Sequence, residues 1–263
     1  MEKAKTIDFI VNWLNAYCEQ SKMKGFVVGI SGGIDSALTS TLCAKTGKPT
    51  LCLNMPIKQH HAELDRGLEH IDWLKKNFTQ VEDASVELTG TFEKLCQTLP
   101  KDIQDPLTMA NTRARLRMLT LYGFAGHHRL LVAGTGNKVE DFGIGFFTKY
   151  GDGGVDVSPI ADLTKTQVWD LAKELGVSES IIKAKPTDGL WEEERTDEDQ
   201  IGASYPELEW AMDYLELNPG TDLDNLPSSL NERQGKVLHI YSKFNRANQH
   251  KMQPIPVCLI PKN

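Results

Sequence analysis

The chain has 263 residues, of which 40% are hydrophobic and 25% charged, and its formal net charge is -7 at pH 7. It is therefore long enough to bury a sizeable core, and its negative balance argues against a nucleic-acid backbone as the main partner. No run approaches the ~18 apolar residues of a membrane helix, and five cysteines without a CxxC pair predict neither a disulfide framework nor a zinc site. We expect a cytoplasmic protein that binds neither nucleic acid nor membrane.

Strand and helix patterns alternate after an amphipathic N-terminal helix. GFVVGIS predicts a strand, SALTSTLCAKTG a helix and PTLCLNMPI a second strand, which together indicate a right-handed parallel crossover. Helices are predicted at 60–77 and 91–99, a weaker strand at 79–88, an arginine-bearing helix in TMANTRARLRMLTLYGFAGHH, a buried strand in RLLVAGTGN and a helix in TKTQVWDLAKELG. Two helices within 202–250 follow. The pattern predicts an α/β fold, a doubly wound parallel sheet with a helical C-terminal extension, as a single domain over 1–263.

The loop 29-GISGGIDSAL-38 carries the first chemical signal. Gly32 and Gly33 allow close approach of backbone to phosphate, the following helix offers unpaired N–H groups, and Ser31 and Ser36 add hydroxyls. The lysine of a GxxxxGK[ST] phosphate loop is absent. Asp35 would repel a phosphate unless a divalent cation lies between them, so it is a candidate Mg²⁺ ligand. The alternative is a turn in which Asp35 and Ser36 only cap the helix.

The pattern SGGIDS after a strand resembles the loop of the ATP-pyrophosphatase superfamily, whose members cleave ATP between the α- and β-phosphates. FFTKYGDGGVD at 146–156, NTRAR at 111–115, LTKTQ at 163–167, PT at 186–187 and HK at 250–251 resemble the NAD⁺ synthetases, in the family's order. The resemblance implies an adenine nucleotide alpha-hydrolase-like fold and a Mg²⁺-dependent homodimeric ligase. It implies that ammonia amidates nicotinic acid adenine dinucleotide (deamido-NAD⁺) through an adenylate, releasing AMP and pyrophosphate. No glutaminase domain is expected, because the ATP loop begins within the first thirty positions.

The resemblance assigns a role to each matching position. Asp35 and Lys165 are expected to be catalytic, and Asp35 and Glu140 to hold Mg²⁺, with Asp141 as the alternative second ligand. An aromatic at Phe146 could stack on the pyridine ring. ATP is expected on Gly29, Ile30, Ser31, Gly32, Gly33, Ile34, Asp35, Ser36, Thr135, Lys165 and Thr187. Deamido-NAD⁺ is expected on Arg115, Phe146, Lys149, Asp156, His250 and Lys251.

Each assignment has a purely structural alternative. The arginines of NTRARLR could form a solvated helix face, Lys165 could be an ordinary first-turn lysine, Phe146 could belong to the core, and Thr135 could cap a turn. The segments 141–158 and 187–200 are predicted lids, because they are glycine-rich or acidic and lack periodicity. Two other functions stay open: a different amidating or tRNA-modifying ATP pyrophosphatase, and a non-catalytic adenine-nucleotide sensor, which would need neither Asp35 nor Glu140.

Overall fold

A computed structural model describes residues 1–59, 61–186 and 196–261 of the chain. Four strands form its central sheet: β1 (Gly25–Gly29), β2 (Thr50–Asn54), β3 (Val81–Ser85) and β4 (Leu130–Val132). Their order is β3-β2-β1-β4, and every pair is parallel, with Val27 opposite both Leu51 and Val132. The carboxyl ends of all four strands therefore lie at one edge of the sheet.

Helices connect and extend the strands. Before β4 they are α1 (Lys3–Gln20), α2 (Ile34–Lys45), α3 (His61–Asn77), α4 (Thr89–Thr98) and α5 (Pro106–His128). After β4 the chain forms a π-helical turn (Val139–Ile144), then α6 (Lys165–Glu174), α7 (Glu179–Ile182), α8 (Asp197–Ile201), α9 (Tyr205–Leu217) and α10 (Glu232–Met252). No helix in the described ranges is long and apolar enough to cross a membrane.

Both faces of the sheet are covered by helices, because successive strand side chains point to opposite sides. Phe26 and Val28 belong to a core shared with α1, α2, α3 and α6, whereas Val27 packs in a second core with residues of α4 and α5. Strand residues buried on both sides are typical of a doubly wound parallel sheet. The predicted fold class is thereby confirmed.

A third apolar cluster forms the helical C-terminal extension. Residues of α9 and α10 pack against the π-helical turn, with Val139, Ile144 and Tyr205 among its buried members. The turn directly follows the segment after β4, so the extension lies beside the carboxyl edge of the sheet. In this way a C-terminal helix pair reaches the place where open α/β sheets bind ligands.

One predicted strand is present but shorter than expected, and one predicted loop is wrong over its last residues. The strand predicted in RLLVAGTGN forms β4 but ends at Val132, whose carbonyl accepts the N–H groups of Asp156 and Val157. Beyond it, Ala133 still donates to the Val27 carbonyl and forms an isolated bridge to Val157. The predicted loop 187–200 is helical from Asp197. The Thr196 hydroxyl oxygen accepts the Asp199 N–H, and the Asp199 carboxylate accepts the Thr196 N–H, which forms a capping box. The remainder of that predicted lid, 187–195, lies outside the described residues.

Candidate active site

The glycine-serine loop between β1 and α2 is fixed by its own side chains and by α3. Ser36 Oγ donates to the Gly33 carbonyl at 2.9 Å and accepts from the Ser31 N–H at 3.3 Å. Gly32 has φ +83°, and a Cβ there would lie 2.2 Å from the carbonyl oxygen of Glu63. Arg66 Nε also donates to the Gly32 carbonyl at 3.3 Å. The positive φ and the close approach of α3 both require glycine at position 32.

This loop borders a cavity of ≈ 250 Å³ at the carboxyl edge of the sheet. Helix α3 contributes Arg66 to the wall and α5 contributes Arg117, whose Nε donates to the Met55 carbonyl at 3.0 Å. The cavity is where the fold predicts a ligand. Predicted site residues that line it are Gly29, Ile30, Ser31, Gly33, Ile34, Asp35, Ser36, Thr135, Glu140, Phe146 and Lys165.

A buried lysine joins two predicted metal ligands. Lys165 Nζ lies 2.6 Å from Asp35 Oδ2 and 3.1 Å from Glu140 Oε1, and the lysine side chain is only 2% exposed. Asn137 Nδ2 donates to the other oxygen of Asp35 at 3.2 Å. Although burial opposes the charged form, the neighbouring Asp35 and Glu140 raise the pKa of Lys165. The lysine is therefore an ammonium that holds both carboxylates in place.

Negative charge exceeds positive charge around this lysine. Burial, and then the charges of Glu140, Asp152 and Asp35, raise the pKa of Asp141 to about 8, and burial also raises the pKa of Asp35. Such a shift indicates carboxylates that a further cation would stabilise. Mg²⁺ is commonly held by one or two protein carboxylates together with substrate phosphates. The pair Asp35 and Glu140 fits that donor set.

The geometry favours Glu140 over Asp141 as the second metal ligand. Glu140 lines the cavity and shares Lys165 with Asp35, whereas the Asp141 carboxylate lies against Gly136, where a Cβ would come within 2.2 Å of it. Within the described ranges no group of three or more histidine, cysteine or acidic side chains is arranged to hold a metal.

Two residues that contact the cluster of Lys165, Asp35 and Glu140 were not predicted from the sequence. Asn137 follows the glycine-rich end of the fourth predicted strand, where a polar side chain is a usable signal. The Tyr205 hydroxyl contacts Glu140 Oε1 and lies 3.1 Å from Asp197 Oδ2, while its ring centroid is 4.7 Å from Lys165 Nζ. Nothing in the local sequence places Tyr205 here, because its position depends on the packing of α9 against the π-helical turn.

Four further predicted residues form a second group around residues 147–149. Arg115 Nε donates to the Lys149 carbonyl at 3.3 Å, Lys149 Nζ donates to the His250 carbonyl at 2.9 Å, and Lys251 Nζ donates to the Phe147 carbonyl at 2.6 Å. This basic group, composed of Arg115, Lys149, His250 and Lys251, does not line the cavity that the described residues enclose. The structure thus places the basic group apart from the cavity, whereas Phe146, also predicted to contact the dinucleotide, lines the cavity together with the loop.

The remaining predicted positions have other surroundings. The Asp156 carboxylate accepts the Tyr122 hydroxyl at 3.0 Å and the Val132 N–H at 2.8 Å, which anchors its segment to β4. Gly32 lies against the Glu63 backbone of α3 and is not among the residues that line the cavity, and Thr187 lies outside the described residues. Arg117, which the sequence left on a helix face with its neighbours, is the arginine of α5 that lines the cavity.

Comparison with known proteins gives consistent matches over almost the whole chain. The family model described as NAD synthase matches residues 6–255. The NH(3)-dependent NAD(+) synthetase of Methanosarcina mazei is 37% identical over 255 residues, covering 94% of this chain and 95% of the relative. Among solved structures, the NMN synthetase of Francisella tularensis matches with TM-score 0.83, 32% identity and full coverage of both chains. The NH3-dependent NAD synthetase of Campylobacter jejuni matches with TM-score 0.79 and 25% identity, covering 98% and 100% of the two chains.

Proposed function

The chain belongs to the NAD synthase family, as its motifs predicted, and on this premise we propose that it amidates deamido-NAD⁺ with ammonia and ATP to form NAD⁺. The observation that carries the proposal is the cavity where the glycine-serine loop meets Asp35, Glu140 and Lys165. A nucleotide sensor would need the loop alone. The paired carboxylates point to a reaction at the phosphates.

The proposed reaction has two displacements. A carboxylate oxygen of the substrate attacks the α-phosphorus of ATP, the bond from that phosphorus to the bridging oxygen breaks, and pyrophosphate leaves. The ammonia nitrogen then attacks the acyl carbon, AMP leaves with the carbon–oxygen bonding pair, and the nitrogen loses a proton. Preorganised N–H groups and cations stabilise the charge that develops on phosphoryl oxygens. The loop and the cavity-lining Arg66 and Arg117 are the groups that would bind the phosphates.

We include Mg²⁺ in the proposal, held by Asp35 and Glu140. When bound, the cation would neutralise charge on the phosphate oxygens. Lys165 supports this arrangement because it keeps two buried carboxylates side by side before the nucleotide arrives. Lys165 is a positioning group because it contacts both carboxylates. It also lines the cavity, where it would lie within reach of ATP.

We also propose that the basic group binds the dinucleotide and that two copies of the chain form the binding surface. Arg115 and His250 are exposed, so the basic group faces outward from the chain. Helix α5, which carries Arg115, also exposes Leu107 at 60% and Leu119 at 65%. Arginine is enriched at protein interfaces, and exposed apolar side chains that lie together mark interaction surfaces. Light scattering of the purified chain should therefore give twice the monomer mass of 29.4 kDa.

The test is a reaction with ATP, Mg²⁺, ammonium and deamido-NAD⁺, in which NAD⁺, AMP and pyrophosphate are quantified. We expect equal amounts of the three products. Asp35→Asn should keep the fold and lose at least roughly a hundredfold in turnover, because one member of the carboxylate pair loses its charge. The fully exposed Asp162 provides the matched control Asp162→Asn, which should keep wild-type turnover. ADP and phosphate as products would refute the proposed reaction.

A second candidate is amidation of the corresponding mononucleotide. It is favoured by one observation, the 32% identity and full mutual coverage with the protein called NMN synthetase. A product of that name lacks the adenylyl half of NAD⁺, so the two candidates share the ATP site and differ in what the basic group must hold. Measuring kcat/KM for nicotinic acid mononucleotide beside deamido-NAD⁺ separates them. We expect the dinucleotide to be preferred at least about tenfold, and a reversed preference would establish the second candidate.

A further inference from the structure

The first turn of α9 contacts both halves of the lysine–carboxylate cluster. Tyr205 is fully buried, and its hydroxyl contacts Glu140 while its ring faces the ammonium of Lys165 at 4.7 Å. One turn later, the Glu209 carboxylate accepts the backbone N–H of Thr166 at 2.9 Å and its hydroxyl at 2.7 Å. Thr166 is the neighbour of Lys165 in the first turn of α6. Helix α9 therefore fixes the carboxylate and the lysine at the same time.

Both side-chain contacts on the Glu140 carboxylate go to one of its two oxygens. Lys165 Nζ and the Tyr205 hydroxyl both bind the same oxygen, Oε1. Glu140 lines the cavity, and its side chain is 15% exposed. A carboxylate held twice through one oxygen cannot rotate freely, and among the described residues no group bonds to its other oxygen, Oε2.

The packing around Tyr205 holds its hydroxyl at Glu140. Tyr205 also packs edge-on against Trp169 of α6 at a ring distance of 6.3 Å, and its hydroxyl reaches Asp197 of α8. The ring is thus held between α6, α8 and the π-helical turn and has no freedom to move away from Glu140. Groups that orient a metal ligand commonly change metal affinity by about 10–100-fold when they are removed.

We propose that Tyr205 is a positioning residue for the divalent cation, and that Glu209 supports it by holding the first turn of α6. This inference rests on the proposed function, since it concerns the metal site assigned to Asp35 and Glu140. The Tyr205 hydroxyl and Lys165 together present Glu140 Oε2 to the cation. Tyr205 itself is not among the residues that line the cavity.

The experiment measures metal binding without turnover. Mn²⁺ is titrated into the full-length chain in the presence of ATP, and free Mn²⁺ is followed by electron paramagnetic resonance. Tyr205→Phe removes only the hydroxyl, and we expect Mn²⁺ to bind at least about tenfold more weakly. The matched control is Tyr214→Phe, on the same helix and packed against Trp210 away from the cluster, which should stay within about twofold of wild type.

A purely structural role would change thermal stability and leave the Mn²⁺ affinity of the folded protein as it was, and that result would overturn the inference. Should Tyr205→Phe not fold, Glu209→Gln gives the second test, because the two Thr166 bonds go to different carboxylate oxygens and the amide replaces one of these acceptors with an NH₂ donor. We expect it to weaken Mn²⁺ binding by about two- to threefold, and wild-type affinity would again overturn the inference. If the wild-type chain forms NAD⁺ and binds Mn²⁺ but both variants match it, only the positioning role is wrong. If the wild type binds no Mn²⁺ with ATP, the proposed metal site is wrong and the positioning role falls with it.

Discussion

Replacing Lys165 with methionine should destabilise the folded chain strongly at neutral pH. The substitution keeps an unbranched side chain in a site that is 2% exposed, and it removes the ammonium from Asp35 and Glu140, which are 18% and 15% exposed. Breaking a buried ion pair by deleting one partner costs about 3–5 kcal/mol. For a chain of this size that cost corresponds to a fall in Tm of roughly 6–20 °C.

The loss should depend on pH in a defined direction. Burial and the charge of Glu140 raise the folded-state pKa of Asp35 and Lys165 opposes them, so without Lys165 the pKa of Asp35 lies further above its unfolded value. A carboxyl group with a raised folded pKa destabilises the fold above that pKa, and the penalty shrinks as pH falls and the group takes up a proton. The difference in stability between wild type and Lys165→Met should therefore be largest near pH 8 and smaller near pH 5.

The assay is urea unfolding at pH 8 and pH 5, followed by tryptophan fluorescence. Trp169 is a suitable reporter because it packs against Tyr205 beside the cluster. Lys173→Met is the matched control, since Lys173 is exposed in the last turn of the same helix and should change stability by less than about 0.5 kcal/mol. The reasoning would be refuted if Lys165→Met lost no more stability than this control, or if its loss were the same at both pH values.

Two other predictions follow from local geometry. Gly32→Ala and Gly47→Ala both place alanine at positive φ, at a strain of about 1–2 kcal/mol. Only an alanine at position 32 would meet the Glu63 backbone, so only Gly32→Ala should raise the KM for ATP. Equal KM values for the two variants would contradict this. The Arg233 hydrogen bond lowers the pKa of Glu207 to about 2, so the stability from this pair is present above about pH 4.5 and lost towards pH 2. Glu207→Gln should therefore flatten that part of an acid unfolding curve, and an unchanged curve would count against it.

The sheet could be predicted because its signals are local. The consecutive apolar residues Phe26, Val27 and Val28 predict a strand covered on both faces, and in the structure they point alternately into two cores. The SGGIDS loop lies directly after this strand. Glu140 could be placed at the same edge as Asp35, because parallel strands bring their carboxyl ends together. Those parts of the site follow from chain position alone.

The rest of the site depends on packing that no short pattern encodes. Tyr205 reaches Glu140 across 65 residues, and it does so only because α9 and α10 cover the π-helical turn. Helix α8 begins inside an acidic segment without apolar periodicity. It is stabilised instead by its Thr196 cap and by the contact of Asp197 with Tyr205. Contacts of this kind are fixed by tertiary structure, so an amphipathic reading of the sequence does not reveal them.

The loop without a lysine obtains its positive charge from elsewhere in the chain. Lys165, 130 residues after Asp35, binds the acid that the loop itself introduces. A lysine within the loop would offer its charge directly to phosphate, whereas this lysine is bound to two carboxylates. One ammonium does not balance the two carboxylates, Asp35 and Glu140, that it contacts. The remaining negative charge is the physical reason to expect that nucleotide and divalent cation bind together, each weakly without the other.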